Sequence, residues 1–358
     1  MRAQFGRAIL AATAIVLVAA SGGPTGEGAG PARPSYDADG TVHVPGFDLP
    51  PSGYMSKEAV ELLKRRAGPA KPATPQDKDI GVERKAMEAM IVPVVAAMRA
   101  RYAVDIVEQS IAGVHTRIVT PRGGATDNKR VLINLHGGGF VHCAEGCALL
   151  ESIPIASTGG FKVISVDYRM APEAVFPAAS EDVAAVYRAL LKSYKPSQIG
   201  IYGCSAGGSL SGQVAAWLPA HGLPQAGAIG IFGAGASRAP GDSGYLAAYA
   251  DGSYDPPPGR HRPYREYFDG ANLDDPMISP AQHPDVLKRF PPTLLITGTR
   301  APDLSAAVYA HSQLIKAGVP GDLIVGEGMS HCYILMSSLP ESQDAYQAIV
   351  KFFRDHLD

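Results

Sequence analysis

Charge is scarce in this 358-residue chain: charged residues make up 18%, and 32 basic against 34 acidic side chains leave a formal net charge of −2. No dense Lys/Arg stretch occurs, so the electrostatic footprint of a nucleic-acid binder is missing. No segment recurs at a fixed period, which argues against a solenoid. Cysteine is limited to Cys143, Cys147, Cys204 and Cys332. No second Cys/His cluster at zinc spacing accompanies the first pair, so a metal reading is weak. What the chain has in quantity is core and turn material. Apolar residues make up 46%, with 40 Gly and 30 Pro, a turn-rich composition still below that of disordered or collagen-like chains. At roughly 150 residues per domain, the length fits two compact bodies or one large α/β body with decoration.

The N-terminus reads as a targeting segment. Arg2 and Arg7 precede an apolar run from Ala8 to Ala20, which ends in the small residues Ala19, Ala20 and Ser21. This is the layout of a secretory signal peptide, expected over 1–20, and it implies a secreted or periplasmic protein. A membrane anchor is the alternative, but the run falls short of the roughly 20 residues that span a bilayer. In an oxidising compartment Cys143 and Cys147 are expected either to bridge or to remain two buried thiols. Residues 21–50, opening on a Gly/Pro/Ala-rich stretch, read as a flexible linker.

Two helices are expected next, at about 56–66 and 82–101, within an N-terminal region of 51–104. The second shows an apolar face through Met87, Met90, Ile91, Val94 and Val95, with Pro93 as an expected kink. Eight short strand-like runs follow, at about 105–111, 114–119, 131–135, 162–167, 199–203, 228–232, 293–297 and 322–326. Helical patterns lie between the later ones. One covers 181–194 with Ser180 as N-cap, and another covers 205–218, ended by Pro219 and Gly222. The alternation predicts an α/β fold with an eight-stranded, mostly parallel sheet and helices on both faces, over 105–236 and 286–358. Residues 237–285 break the alternation and read as an insertion above the sheet.

The strongest chemical signal is Gly203-Cys204-Ser205-Ala206-Gly207, set between a strand and a helix. A serine hydroxyl becomes a nucleophile when it is exposed, deprotonated by a neighbour and faces a site that holds an oxyanion. A tight strand-to-helix turn exposes it and demands small flanking residues. His136-Gly137-Gly138-Gly139-Phe140 follows the strand 131–135, and consecutive glycines let backbone amides turn toward a bound carbonyl. Gly137 and Gly138 are assigned to that role, and His136 to orienting the loop. Among ten histidines, His331 is singled out by its place after the last strand, in the order serine, acid, histidine.

With those blocks in view, the chain resembles the bacterial branch of the hormone-sensitive-lipase family of α/β-hydrolase esterases. The resemblance rests on HGGGF at 136–140, G-x-S-A-G-G at 203–208, the Tyr168–Ala179 stretch and the late histidine, and it covers roughly 80–358. It implies an α/β-hydrolase fold, with a cap built from the N-terminal helices and the 237–285 insertion lying over the active site. It also implies carboxylic-ester hydrolysis without metal or organic cofactor. By matching motif, Ser205 is the nucleophile, His331 the general base, and the amides of Gly137, Gly138 and Ala206 the oxyanion hole.

Two positions depart from the family. Cys204 stands where Asp is usual and reads as a small side chain behind the nucleophile. After strand 293–297, Ala301 aligns with the expected acid, and the nearest carboxylate is Asp303. Two extended residues span about 7 Å, so Asp303 serves only on a rebuilt loop, which Pro302 favours. Asp303 is assigned as the acid, with Glu173 and Glu327 as the remaining candidates. The resulting expectation is a serine carboxylesterase for short-to-medium acyl esters, lactones included. The alternative is a disabled or retired hydrolase that binds a ligand, or a chain whose acid was replaced to trap one. The expected partner is a small-molecule ester, with no nucleic acid and no membrane after signal cleavage; a homodimer stays open.

Overall fold

The computed structural model describes residues 33–46, 48–65, 79–239, 241–250 and 267–358. The expected signal peptide at 1–20 lies outside the described residues, as do 251–266 of the insertion. The chain divides into two units between Leu49 and Pro50. In the first, part of the expected linker is a small antiparallel hairpin of β1 (Ser35–Tyr36) and β2 (Val42–His43).

The second unit opens with α1 (Lys57–Lys64) and α2 (Ile80–Arg101). The order continues β3 (Val104–Ile111), β4 (Val114–Pro121), β5 (Asp127–Leu135), α3 (Gly146–Gly159), β6 (Phe161–Val166) and α4 (Ala178–Leu190). After these come β7 (Ile199–Cys204), α5 (Ala206–Ala220), β8 (Ala228–Phe232), α6 (Asp242–Ala250) and α7 (Pro284–Leu287). The chain closes with β9 (Thr293–Gly298), α8 (Leu304–Ala317), β10 (Gly321–Gly326) and α9 (Pro340–His356). All eight strands expected from 105 onward are present, seven starting within one residue of the expected position and β5 four residues early, at Asp127. They form one sheet in the order β10-β9-β8-β7-β5-β6-β4-β3. Neighbours from β10 to β6 pair parallel, while β4 and β3 add an antiparallel edge.

Side-chain alternation along each strand divides the apolar residues between two cores. Val131, Ile133 and Leu135 of β5 join Ile199 and Ile201 of β7 beneath α4, α5 and α8. Leu132, Tyr202, Phe232 and Ile296 face the other way, onto α2, α3 and α9. α3 carries almost no exposed residue and is seated like a core element.

Three sequence expectations need correction. The inward face of α2 is only part of the expected apolar set, with Ile91 packed against the core beside Val95. Val95 and Met98 are buried, whereas Met90 and Val94 are 65% and 44% exposed. Polar residues take the inner positions: Arg84 donates to the carbonyls of Val141 and Ala171, and Glu88 accepts the Gly146 amide. Second, α4 begins at Ala178, not after Ser180, which is buried inside the helix. A free amide of its first turn, that of Ala179, is satisfied by the Tyr267 hydroxyl at 2.8 Å, so a distant side chain does the capping expected of Ser180. Third, the insertion does not lie wholly above the sheet. Tyr267, Phe268, Ile278 and Ala281 are buried in the same core as α4 and α5.

Packing of α9 depends on a glycine in β7. A Cβ at Gly200 would sit 2.6 Å from Leu132 Cδ2 and 2.7 Å from Phe353 Cε1, both on fully buried side chains. Gly200→Ala is therefore expected to cost about 1–3 kcal/mol by overpacking. Phe353→Ala is expected to cost about 3–5 kcal/mol by leaving a cavity. Urea unfolding of the two variants checks both values, and a neutral Gly200→Ala contradicts this account of the α9 contact.

Candidate active site

Four loops leave the C-terminal ends of parallel strands on one edge of the sheet, where ligands of open α/β sheets bind. They follow β5, β7, β9 and β10, and each carries a residue singled out in the sequence.

Ser205 lies on the turn from β7 into α5 with φ 60° and ψ −119°, a conformation rare for a side chain-bearing residue. Its amide donates to Phe232 O at 2.8 Å, and its carbonyl accepts from Ser209 N at 3.0 Å. The flanking glycines are obligatory here. A Cβ at Gly207 would lie 1.7 Å from Leu135 O, one at Gly203 2.1 Å from the same oxygen, and one at Gly208 2.5 Å from Phe232 O. The backbones of β5 and β8 thus press on the turn from both sides and drive the serine outward.

Ser205 Oγ is 2.9 Å from His331 Nε2, and His331 Nδ1 is 2.6 Å from Asp303 Oδ1. A carboxylate only accepts, so the imidazole carries its proton on Nδ1 and leaves Nε2 to accept from the serine hydroxyl. Asp303 Oδ2 is fixed in turn by Thr297 Oγ1 at 2.6 Å. The acid side chain is 10% exposed and the histidine 34%. Two successive turns, Ala301 N to Gly298 O and Leu304 N to Ala301 O, fold the loop so that Asp303 reaches the histidine from the start of α8. Ala301, where the family alignment places the acid, is fully buried. Of the other candidate acids, Glu173 pairs with Arg84 at 2.7 Å and Glu327 is exposed.

The glycine loop corrects one assignment. The Gly137 amide donates to Glu151 Oε1 at 2.8 Å inside the protein, which engages it away from any bound carbonyl. Gly138 and Gly139 are half-buried with φ 103° and 69°. Their amides and that of Ala206 engage no acceptor among the described residues. His136 has the orienting role expected of it. It is fully buried, stacks on Tyr168 at 4.2 Å, and its Nδ1 donates to Gly137 O at 2.7 Å. Burial pushes its imidazole down to about 4, so it stays neutral.

Two features of the site were missed in the sequence. Glu151, on the buried helix α3, accepts from Gly137 N, from Cys204 N at 3.0 Å and from Asn134 Nδ2 at 2.9 Å. Burial pushes its carboxyl up to about 8, against the lowering effect of those three donors. Its signal was an acid inside an otherwise apolar run. The second is the Cys204–Cys332 bridge, while Cys143 and Cys147 take the bridged one of their two expected states. Cys204 is therefore not merely a small side chain behind the nucleophile. The signal was its adjacency to Ser205, matched by that of Cys332 to His331.

Comparison with known proteins agrees with the fold. Residues 132–335 match the family model described as the alpha/beta hydrolase fold. An acetyl-hydrolase of Streptomyces hygroscopicus is 28% identical over 232 residues, covering 64% of this chain and 77% of that one. For two Mycobacterium tuberculosis relatives, the chain spans 39% and 62% of their length. The crystal structure of one esterase matches with TM-score 0.78 and 29% identity, covering 88% of this chain and 99% of that one. The crystal structure of an esterase from the bacterial hormone-sensitive lipase family matches with TM-score 0.71 and 28% identity, over 84% and 97%.

Folding raises the Glu151 carboxyl from its ordinary 4.5 to about 8. Between those limits the native state holds a proton that the unfolded chain has released. The stability from this group is thus full below pH 4.5 and is lost as pH rises toward 8. Urea unfolding between pH 5 and 8 is expected to show a fall in stability that is shallower in Glu151→Gln than in the parent. Parallel slopes would refute the assignment.

Proposed function

The chain belongs to the α/β-hydrolase fold family, in its bacterial hormone-sensitive-lipase branch of carboxylic ester hydrolases, and from that premise we propose that it is a serine carboxylesterase cleaving short-to-medium acyl esters through an acyl-enzyme. The observation that carries the reading is the unbroken hydrogen-bond path from Asp303 through His331 to Ser205.

Ser205 Oγ attacks the ester carbonyl carbon as His331 Nε2 takes its proton, and Asp303 holds the imidazolium that forms. The negative charge on the carbonyl oxygen falls to the amides of Gly138, Gly139 and Ala206, the last at the N-terminus of α5, where negative charge is favoured. Collapse expels the alcohol oxygen, which takes the proton from Nε2 and leaves acyl-Ser205. Water then attacks the acyl carbon with His331 as base, and the carboxylic acid departs as the serine recovers its proton. Gly137 contributes by holding the loop through Glu151, not by binding the oxyanion. The vacant acid position at Ala301 had favoured a retired, ligand-binding hydrolase. With Asp303 on His331 that motive is gone.

Residues of the insertion border the same loops. The Tyr267 ring stacks on Phe140 at 4.4 Å, and Ser243 Oγ donates to Pro302 O at 2.8 Å. This supports the proposal that 51–104 and 237–285 supply a cap over the site. Two disulfides support the proposal of an exported protein working in an oxidising compartment. Among the described residues, no helix is long and apolar enough to cross a membrane.

Hydrolysis of p-nitrophenyl butyrate tests the reading. The parent is expected to turn over at roughly 1–10³ s⁻¹, and Ser205→Ala to abolish that turnover. Asp303→Asn is expected to lower kcat by about 10⁴, while Ala301→Asp brings no gain. Parent activity no better than Ser205→Ala would defeat the proposal. Full activity in Asp303→Asn would defeat the assignment of the acid.

A further inference from the structure

We propose that Cys204 and Cys332 are positioning residues, whose disulfide sets the distance between nucleophile and base. The bridge joins the residue before Ser205 to the residue after His331, across 128 positions of sequence. It is therefore the shortest covalent connection between the two groups that exchange the proton.

The other ties on the histidine loop explain why such a link matters. Arg300 N donates to Met329 O at 3.0 Å, Thr299 N to Gly326 O at 3.0 Å, and Gly328 N to Thr299 Oγ1 at 2.7 Å. Asp303 holds Nδ1 from the same side. All four fasten the loop to the segment after β9. Toward β7, separated from β10 by two strands of the sheet, the loop is joined by the Ser205–His331 hydrogen bond and by the bridge. The hydrogen bond breaks and re-forms in each catalytic cycle, whereas the bridge persists. The fold makes room for it at the end of β8, where a Cβ on Gly233 would lie 2.5 Å from Cys332 Sγ and 3.0 Å from Cys204 Sγ. The same Cβ would lie 3.3 Å from His331 Cε1. Gly233, with φ 53°, thus admits bridge and imidazole together. Cys332 itself takes a left-handed backbone, φ 51°, and its Sγ lies 3.8 Å from His331 Nε2. Displacing catalytic groups by about 1 Å costs on the order of 10²-fold in rate, which sets the scale of the expected effect.

The inference rests on the serine-hydrolase reading of Ser205, and its test separates the two. The parent is the full chain carrying Cys143→Ala and Cys147→Ala, which leaves one disulfide. To it are compared the same chain with Cys204→Ala and Cys332→Ala, and the parent reduced by a small dithiol. In that reduction the dithiol closes to its cyclic disulfide, and two electrons and two protons pass to the sulfurs of Cys204 and Cys332. Three quantities are measured well below the unfolding temperature of each form: kcat, KM for p-nitrophenyl butyrate, and the rate of Ser205 phosphonylation by an alkyl fluorophosphonate. Without the bridge, kcat and phosphonylation are expected to fall about 10- to 100-fold, with KM within twofold, and reoxidation of the reduced parent restores both. Unchanged kcat and phosphonylation, even with a lowered melting temperature, would mean that the bridge only stabilises the fold and would overturn the proposal, as would a rise in KM alone. If the alanine pair does not fold, the reduced parent decides. If the bridged parent is phosphonylated yet cleaves no ester, the esterase reading fails, and the phosphonylation rates still judge the bridge.

Discussion

The carboxyl of Glu151 occupies the point where two segments remote in sequence each bury an amide. Gly137 N belongs to the loop after β5 and Cys204 N to the last residue of β7, and one side chain from α3 accepts from both. A buried donor without a partner costs about 1–3 kcal/mol, so neither segment can settle without that acid. The approach is close enough that a Cβ on Gly137 would lie 3.1 Å from Cys204 O and 3.4 Å from Ser205 Cβ. Hence the glycine loop and the nucleophile turn are set against each other by one buried group. What places that group is α3 itself, seated in the core along its length and held at its start by Glu88 of α2.

Dependence on geometry, more than on sequence position, also explains the acid. His331 needs an acceptor at Nδ1, and any carboxyl that arrives there with a second anchor does the work. Two tight turns after β9 bring Asp303 to that place, and Thr297 holds its other oxygen. A buried alanine then suits position 301, since an acid there would be enclosed without a partner. The alignment gap that made the chain look disabled is a change of path through the loop.

Much of this was legible in the sequence because it rests on local rules. Strand runs broken by turn residues gave the sheet, and crowding at a strand-to-helix turn gave Ser205. Chain order gave His331. The features that escaped are those decided by tertiary partners. Ser180 looked like an N-cap, but the Tyr267 hydroxyl reaches Ala179 first. Met90 and Val94 looked inward because apolar residues usually are, yet Arg84 and Glu88 hold the inner face of α2 through backbone groups of other loops. Gly137 belonged to a glycine run that suits an oxyanion, and only the buried carboxyl beside it shows that its amide is engaged. Glu151 had no spacing rule to reveal it.

The placement of the disulfides bears on what they do. A chain of this length buries enough apolar surface to fold without covalent staples, unlike small secreted domains that depend on them. Sheet and helices here are held by two extended cores, and Cys204 and Cys332 both belong to the one packed against α2, α3 and α9. Cys143–Cys147 closes a short turn that leads from the glycine loop into α3, and Cys204–Cys332 spans nucleophile and base. Both lie where a small displacement changes the chemistry. The nucleophile's half of the site is fixed by steric pressure from β5 and β8 and by Glu151, all within the sheet's interior. The histidine's half follows β10, the edge strand of the sheet, between an acid on a rerouted loop and a turn in a left-handed conformation. A covalent link is most useful on that weaker half, and that is where the chain has it.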